Sequence, residues 1–167
     1  MTLAEAAAQA EELWATGKAR ELGDLRSEWG DELESQARSQ DFRERALAFR
    51  AIGMFRWRAK EELLRRGLDD SSPAARGSAL LSIELLSRDH PSTVNSVRPL
   101  LHKMLNDSDE NAAVRRLAVL ALKNGSAQRE TIVLLEGTAA DDEEGADLRR
   151  AAATIAQDLK RKAVAKR

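Results

Sequence analysis

Apolar residues recur every three or four positions along almost the whole chain. Leu22, Leu25, Trp29 and Leu33 make one such stripe, and Ala48, Phe49 and Ile52 make another. No stretch of useful length alternates apolar and polar residues as a half-buried strand would, so the pattern predicts helices throughout. Thr2-Leu3-Ala4-Glu5 is a capping-box sequence that opens a helix running to about Thr16 and closing at Gly17. Asp41-Phe42-Arg43-Glu44 marks a second such start, and the helix it opens is expected to loosen near Gly53. A helix near Trp57–Arg66 is closed by Gly67, and Pro73 suits the first turn of the next, which runs to about Ser87. Further helices are predicted from about Thr93 to Leu105, with Pro99 kinking it or beginning its regular part, then over Ala112–Lys123, Ala127–Gly137 and Glu143–Lys160.

Four of these helices open alike. Arg45, Arg76, Arg115 and Arg149 each follow an acidic or polar turn, at spacings of 31, 39 and 34 residues. Three positions later stand Ala48, Ala79, Ala118 and Ala152, and seven positions later stand Ile52, Ile83, Leu122 and Ala156. Offsets of zero, three and seven lie on one helical face. A single hairpin cannot cover that face alone, so the period predicts stacked helical hairpins. The small residue at the third offset lets neighbouring helices approach. The arginine stands where an aspartate can cap the helix and pair with the arginine of the same or the neighbouring repeat, giving a ladder.

The third copy carries Val97-Arg98-Pro99-Leu100-Leu101, then Leu105-Asn106-Asp107, then Val114-Arg115. In these features the chain resembles the HEAT repeat family, including its shorter HEAT-like (PBS-lyase-type) form, over roughly residues 21–159. It departs from the pattern where Glu44 and Ala75 replace the valine, and in the very acidic turn Asp141-Asp142-Glu143-Glu144. The resemblance implies an all-α, right-handed α-solenoid of about four hairpins forming a single domain. Residues 1–20 would be an N-terminal capping helix, 21–56, 57–88, 92–124 and 126–160 the repeats, and 161–167 a basic tail. In such stacks the second helices line the concave side. Offsets of one, five and eight from the anchor arginines then give a candidate partner surface: Arg50, Leu81, Glu84, Arg116, Leu120, Lys123, Arg150, Thr154 and Gln157. The repeat implies no activity of its own, since its members scaffold, adapt or transport, and a few bind DNA.

Composition agrees with a thin helical core: 43% of the 167 residues are hydrophobic, only 4% aromatic, and 33% charged. Cysteine is absent, which excludes disulfides and thiolate chemistry. No apolar run approaches membrane-spanning length, and Glu5, Glu11 and Glu12 interrupt the N-terminal segment as no signal peptide would, so a cytoplasmic protein is expected. The net charge of −1 conceals alternating blocks. Residues 1–41 hold ten acids and four bases, 42–68 three acids and eight bases, and 160–167 five bases and no acid. This alternation suits solvated helix faces first, and also head-to-tail self-association.

No constellation of catalytic residues stands out, and no metal or cofactor is expected. Asp107-Ser108-Asp109-Glu110-Asn111 imitates the start of a calcium loop, but Ala112 and Ala118 occupy the positions that need glycine and a bidentate glutamate. His90 and His102 have no evident partners and read as surface residues. The basic block Arg43, Arg45, Arg50, Arg56, Arg58, Lys60, Arg65 and Arg66, interleaved with Phe42, Phe49, Phe55 and Trp57, is the nucleic-acid candidate. Its aromatics read better as core, and its acidic flanks interrupt a phosphate-tracking groove. The first expectation is therefore a non-enzymatic adaptor or scaffold that holds another protein or peptide. The second is a nucleic-acid-binding repeat protein, DNA glycosylase-like.

Overall fold

The computed structural model describes residues 1–166, and among them every regular element is helical. The order is α1 (Leu3–Ala15), α2 (Ala19–Ala37), α3 (Phe42–Met54), a 3-10 turn (Arg58–Lys60), α4 (Glu61–Gly67), α5 (Pro73–Ser87), α6 (Ser92–Asn106), α7 (Ala112–Leu122), α8 (Arg129–Ala140) and α9 (Ala146–Ala165). The chain forms two compact units, Met1–Leu86 and Ser87 onward, so α1 to α5 belong to the first and α6 to α9 to the second. Of the basic tail expected over 161–167, Arg167 lies outside the described residues.

The repeat predicts the core face well. Ala48, Ala79, Ala118 and Ala152 are fully buried, and Ile52, Ile83, Leu122 and Ala156 are buried beside them. A fully buried Ile or Leu contributes about 1.5–3 kcal/mol relative to an exposed one. The alanines contribute less area but set how closely helices can approach. In the first unit α1 packs on both α2 and α3, α2 packs on α3, and α4 adjoins α3. In the second, α6 packs on α7, α8 on α9, and α7 on α9.

Local chemistry sets the helix ends. The Glu5 N–H donates to the Thr2 hydroxyl at 3.3 Å while the Thr2 N–H donates to the Glu5 carboxylate at 2.7 Å, completing the capping box of α1. Asp41 caps α3 by accepting from the Arg43 N–H, and Asn111 caps α7 by accepting from Ala113 and Val114. Helix α1 ends at Gly17, whose φ of 71° is the left-handed conformation glycine adopts without cost. The Lys18 N–H then reaches the Leu13 carbonyl and the Gly17 N–H the Trp14 carbonyl. The same pair of bonds closes α3, from Trp57 to Ile52 and from Arg56 to Gly53. There the left-handed residue is Arg56, at φ 51°. Helix α6 begins at Ser92 and is continuous through Pro99, so the proline neither starts nor interrupts it.

Gly53 does not loosen α3. It is the point where α3 and α5 touch. The Ser82 hydroxyl, wholly buried, donates toward the Phe49 carbonyl at 2.5 Å and accepts from the Gly53 N–H at 3.0 Å. A Cβ on Gly53 would stand 2.6 Å from Ser82 Oγ and 2.8 Å from Ser82 Cα, and backbone on the far side leaves no room to yield. Gly53→Ala is therefore expected to destabilise the protein by about 2–3 kcal/mol through overpacking and a broken buried hydrogen bond. Gly137, where an added methyl would meet no atom within 4 Å, is the matched control. Gly137→Ala should be neutral or stabilising by up to about 1 kcal/mol. Urea denaturation of the two variants measures both.

Candidate partner-binding surface

The anchor arginines are consumed inside the fold. Arg45, near the start of α3, donates through Nη1 to the Ser39 and Gln40 carbonyls just past the end of α2, at 3.0 and 3.1 Å. Its other face grips Asp70, in the turn before α5, with Nε–Oδ2 at 2.7 Å and Nη2–Oδ1 at 2.9 Å. Arg115, near the start of α7, repeats the arrangement. It donates to the Leu105 carbonyl at the end of α6 at 2.7 Å and grips Glu144, in the turn before α9, at 2.7 and 2.6 Å. Arg76 bonds the Asp70 carbonyl at 2.7 Å. Arg149 takes the Ala139 carbonyl near the end of α8 at 3.2 Å and Asp142 of its own turn at 3.3 Å. Of the acids in the Asp141–Glu144 turn, Asp142 and Glu144 thus serve arginines, and Asp141 accepts from the Glu143 N–H.

Asp70 is the most heavily used of these acids. It accepts from Arg45 and from the Ser72 N–H, and these bonds hold its carboxyl below the usual carboxylate range, the Arg45 hydrogen bonds first, against an opposing effect of burial. The partnership correspondingly raises Arg45.

Two cations that are not anchor arginines do the same work. Arg26 of α2 donates to the Phe55 and Arg56 carbonyls, both at 2.9 Å, and so holds the left-handed end of α3. Lys162 of α9 donates to the Lys123 and Gly125 carbonyls at the end of α7, at 3.1 and 2.8 Å. Burial lowers the pKa of both. No spacing in the sequence marks either residue.

With the anchors occupied, the nine candidate residues sort by exposure. Leu81, Arg116, Lys123, Arg150, Thr154 and Gln157 are exposed, whereas Arg50, Glu84 and Leu120 are half-buried. In the second unit a groove of about 390 Å³ between α7 and α9 brings together Arg116, Leu120, Arg150 and Thr154, over a floor that includes the buried Ile155. Arg150 also pairs with Asp147 on the same rim. Gln157 faces a different groove, between α8 and α9, beside Glu136 and Lys160. Lys123 stands at the end of α7, outside both. In the first unit Arg50 and Leu81 stand on adjacent helices, because Ser82 also donates toward the Arg50 carbonyl at 3.1 Å.

Five of the eight cations in the basic block have acidic partners, two of them within the block. Arg45 pairs with Asp70, Arg56 with Glu11 at 3.9 Å, Arg58 with Glu61 at 3.4 Å, Arg66 with Glu62 at 4.0 Å, and Lys60 with Glu34. Phe49 and Phe55 are core, as expected, and Trp57 is half-buried against Phe55. Phe42 is not core: it is 44% exposed and lies beneath the Arg43 guanidinium. A residue in the first turn of a helix, with arginine and glutamate for its next neighbours, finds no second helix to cover it.

His102 is likewise not a simple surface histidine. It is held between α6 and α8 with Nε2 2.9 Å from the Thr131 hydroxyl and Nδ1 3.9 Å from Glu130. Burial pushes its pKa down, Glu130 partly offsets this and Arg98 adds to it, so the ring is neutral near pH 7. Among the described residues, no three His, Asp or Glu side chains stand close enough to hold a metal ion, and no helix is long and apolar enough to cross a membrane.

Compared with known proteins, the chain matches no protein-family model and no curated protein.

Removing the Asp70 charge tests the ladder. Asp70→Asn should cost about 2 kcal/mol at neutral pH, the magnitude of hydrogen bonds to a charged partner in a mostly buried site. Because the folded pKa of Asp70 lies below its unfolded value of about 3.9, its contribution is complete above that value and is lost as pH falls through the folded pKa. The variant should therefore show a flatter acid limb in stability measured against pH, and the gap to wild type should close in acid.

Proposed function

We propose that this protein is a non-enzymatic, cytoplasmic adaptor or scaffold of HEAT-like type, a short right-handed α-solenoid of about four hairpins that holds another protein or peptide. The single observation that carries the binding proposal is the α7–α9 groove. Arg116 and Arg150, the latter paired with Asp147 on the same rim, flank an apolar floor of Leu120 and Ile155, and the repeat arginines Arg115 and Arg149 are already committed to carbonyls and acids. A preformed apolar centre with a charged rim suits an acidic peptide segment carrying one apolar anchor. Support for the repeat assignment comes from the matching roles of Arg45 and Arg115, each tying one hairpin to the acidic turn of the next within its own unit. The internal pairing of five of the eight cations in the block 42–68 supports a protein ligand over a phosphate backbone, which needs continuous positive charge.

The test is a peptide-display selection on the full chain, repeated on the double variant Arg116→Glu, Arg150→Glu. Acidic peptides with one large apolar residue should be enriched by wild type. The double variant should bind them at least about tenfold more weakly with an unchanged melting temperature, since both side chains are exposed. Peptides that bind both proteins equally would show that the groove is not the binding surface.

A further inference from the structure

The α7–α9 groove carries an acid of its own. Asp147, Arg150, Ala151 and Thr154, at offsets of zero, three, four and seven along α9, make one wall, and Arg116 and Leu120, four residues apart on α7, make the other. Within its wall the Asp147 carboxylate accepts from the Arg150 guanidinium. Four arginines stand near the starts of these two helices. Arg115 is paired with Glu144, Arg149 with Asp142 and Arg150 with Asp147, which leaves Arg116 without an acid partner among the described residues. The groove therefore offers a ligand one free cation and one that is already engaged.

The pairs differ in what they hold. The Arg115 and Glu144 side chains are 8% and 18% exposed and join the start of α7 to the turn before α9. Those of Arg150 and Asp147 are 75% and 80% exposed and lie three residues apart on one helix. A pair as exposed as that adds little to stability, because water screens it and two mobile side chains must be ordered. Helix α9 is anchored by other groups: Leu148, Ala152, Ile155 and Leu159 are all buried. Asp147 does lie in the first turn of α9, where a negative charge complements the helix dipole. The dipole asks only for charge near the helix start, and the exposed Glu143 lies just ahead of it, outside the groove. The placing of Asp147 on Arg150 alters the groove itself, because it sets a carboxylate where an acidic ligand would set its own.

We infer that Asp147 is an internal competitor for acidic ligands, and that it selects a partner segment with a single carboxylate beside its apolar anchor over a polyacidic one. This inference rests on the reading of the α7–α9 groove as the binding surface. The first carboxylate of a ligand meets Arg116 without breaking an existing pair. A second must displace Asp147 from Arg150, or share that guanidinium with it and so set two like charges side by side. The second acid therefore adds little affinity. Specificity of this kind comes from an unfavourable contact with the wrong ligand, added to the favourable contacts with the right one.

Fluorescence anisotropy with two probe peptides tests it, on the full chain at low ionic strength, where exposed charges act most strongly. Both peptides are capped at each end and carry one leucine and one glutamate; they differ in a second position, glutamine in the first and glutamate in the second. On wild type the second glutamate should tighten binding by no more than about 1.5-fold, and on Asp147→Asn by at least about threefold. Glu143→Gln makes the same change of net charge beside the groove and should respond as wild type does. In the double variant Asp147→Asn, Arg150→Gln the gain should vanish, which separates a freed Arg150 from a mere change in the field or in helix stability. A second glutamate that helps wild type as much as Asp147→Asn, an equal gain in Glu143→Gln, or a gain that survives loss of Arg150 would each overturn this inference while leaving the groove reading in place. Failure of both peptides to bind, or equal binding to Arg116→Glu, Arg150→Glu, would overturn the groove reading and this inference with it.

Discussion

The constraint on which the rest of this structure depends is the fate of helix C-terminal carbonyls. Each helix end leaves about four carbonyls without an intrahelical donor, and nine α-helices among the described residues multiply the problem. Cations resolve it here. Arg115 and Arg149 reach back to carbonyls in the last turn of the preceding helix, Arg45 to the Ser39 and Gln40 carbonyls just past α2, Arg26 to the two residues that close α3, and Lys162 to those that close α7. Positive charge at the negative end of a helix dipole is favourable by itself. An arginine does more than a lysine in this position, because its planar fork has donors left over for a carboxylate. Arg45 and Arg115 use that surplus on Asp70 and Glu144. One guanidinium thereby fixes three backbone segments relative to each other: its own helix start, the preceding helix end and the following turn.

That arrangement suits a core built from small residues. Alanine at the repeat's third offset buries little area, so each helix pair gains less from the hydrophobic effect than a leucine-filled interface would. In exchange the backbones come near enough for polar groups to bond across the interface. Ser82 bonds the backbone of α3 at Gly53, Phe49 and Arg50, an interaction that larger side chains at this contact would block. Close approach and the carbonyl-arginine contacts are thus parts of one solution: short distances make the polar contacts geometrically available, and the polar contacts hold the distances.

What could be read from the sequence follows the range of the interactions involved. The helices, the caps at Thr2 and Asp41, and the buried positions at offsets three and seven all depend on residues within two turns of each other, and local patterns report those. The roles of Gly53 and Arg56 escape local rules because the deciding partners, Ser82 and Arg26, lie about thirty residues away. Arg56 adopts a left-handed turn that sequence rules assign to glycine. Its backbone carbonyl is held by Arg26, its own side chain returns to the Gly53 carbonyl at 2.8 Å, and the guanidinium lies over Trp14. Together these contacts offset a backbone cost of about 1 kcal/mol. The offset rule for the partner surface named exposed residues in six of nine positions, yet only helix packing decides that Arg116, Leu120, Arg150 and Thr154 share a groove that Gln157 does not.

Charge shows the same distinction between local and distant information. Counted along the chain, residues 42–68 form the most basic internal block, and a count assigns that charge to a ligand. In the fold three acids from outside the block meet it, Glu11 of α1, Glu34 of α2 and Asp70 of the turn before α5, while Glu61 and Glu62 pair with Arg58 and Arg66 within it. More than half of the apparent surplus is therefore spent on internal pairs. The groove shared by α7 and α9 carries Arg116, Arg150 and Asp147 on its rim, and Arg150 pairs with Asp147. Recognition depends on the field a ligand meets after internal pairing is complete. On that criterion the charge of the block 42–68 is in good part structural, Arg45 with Asp70 above all.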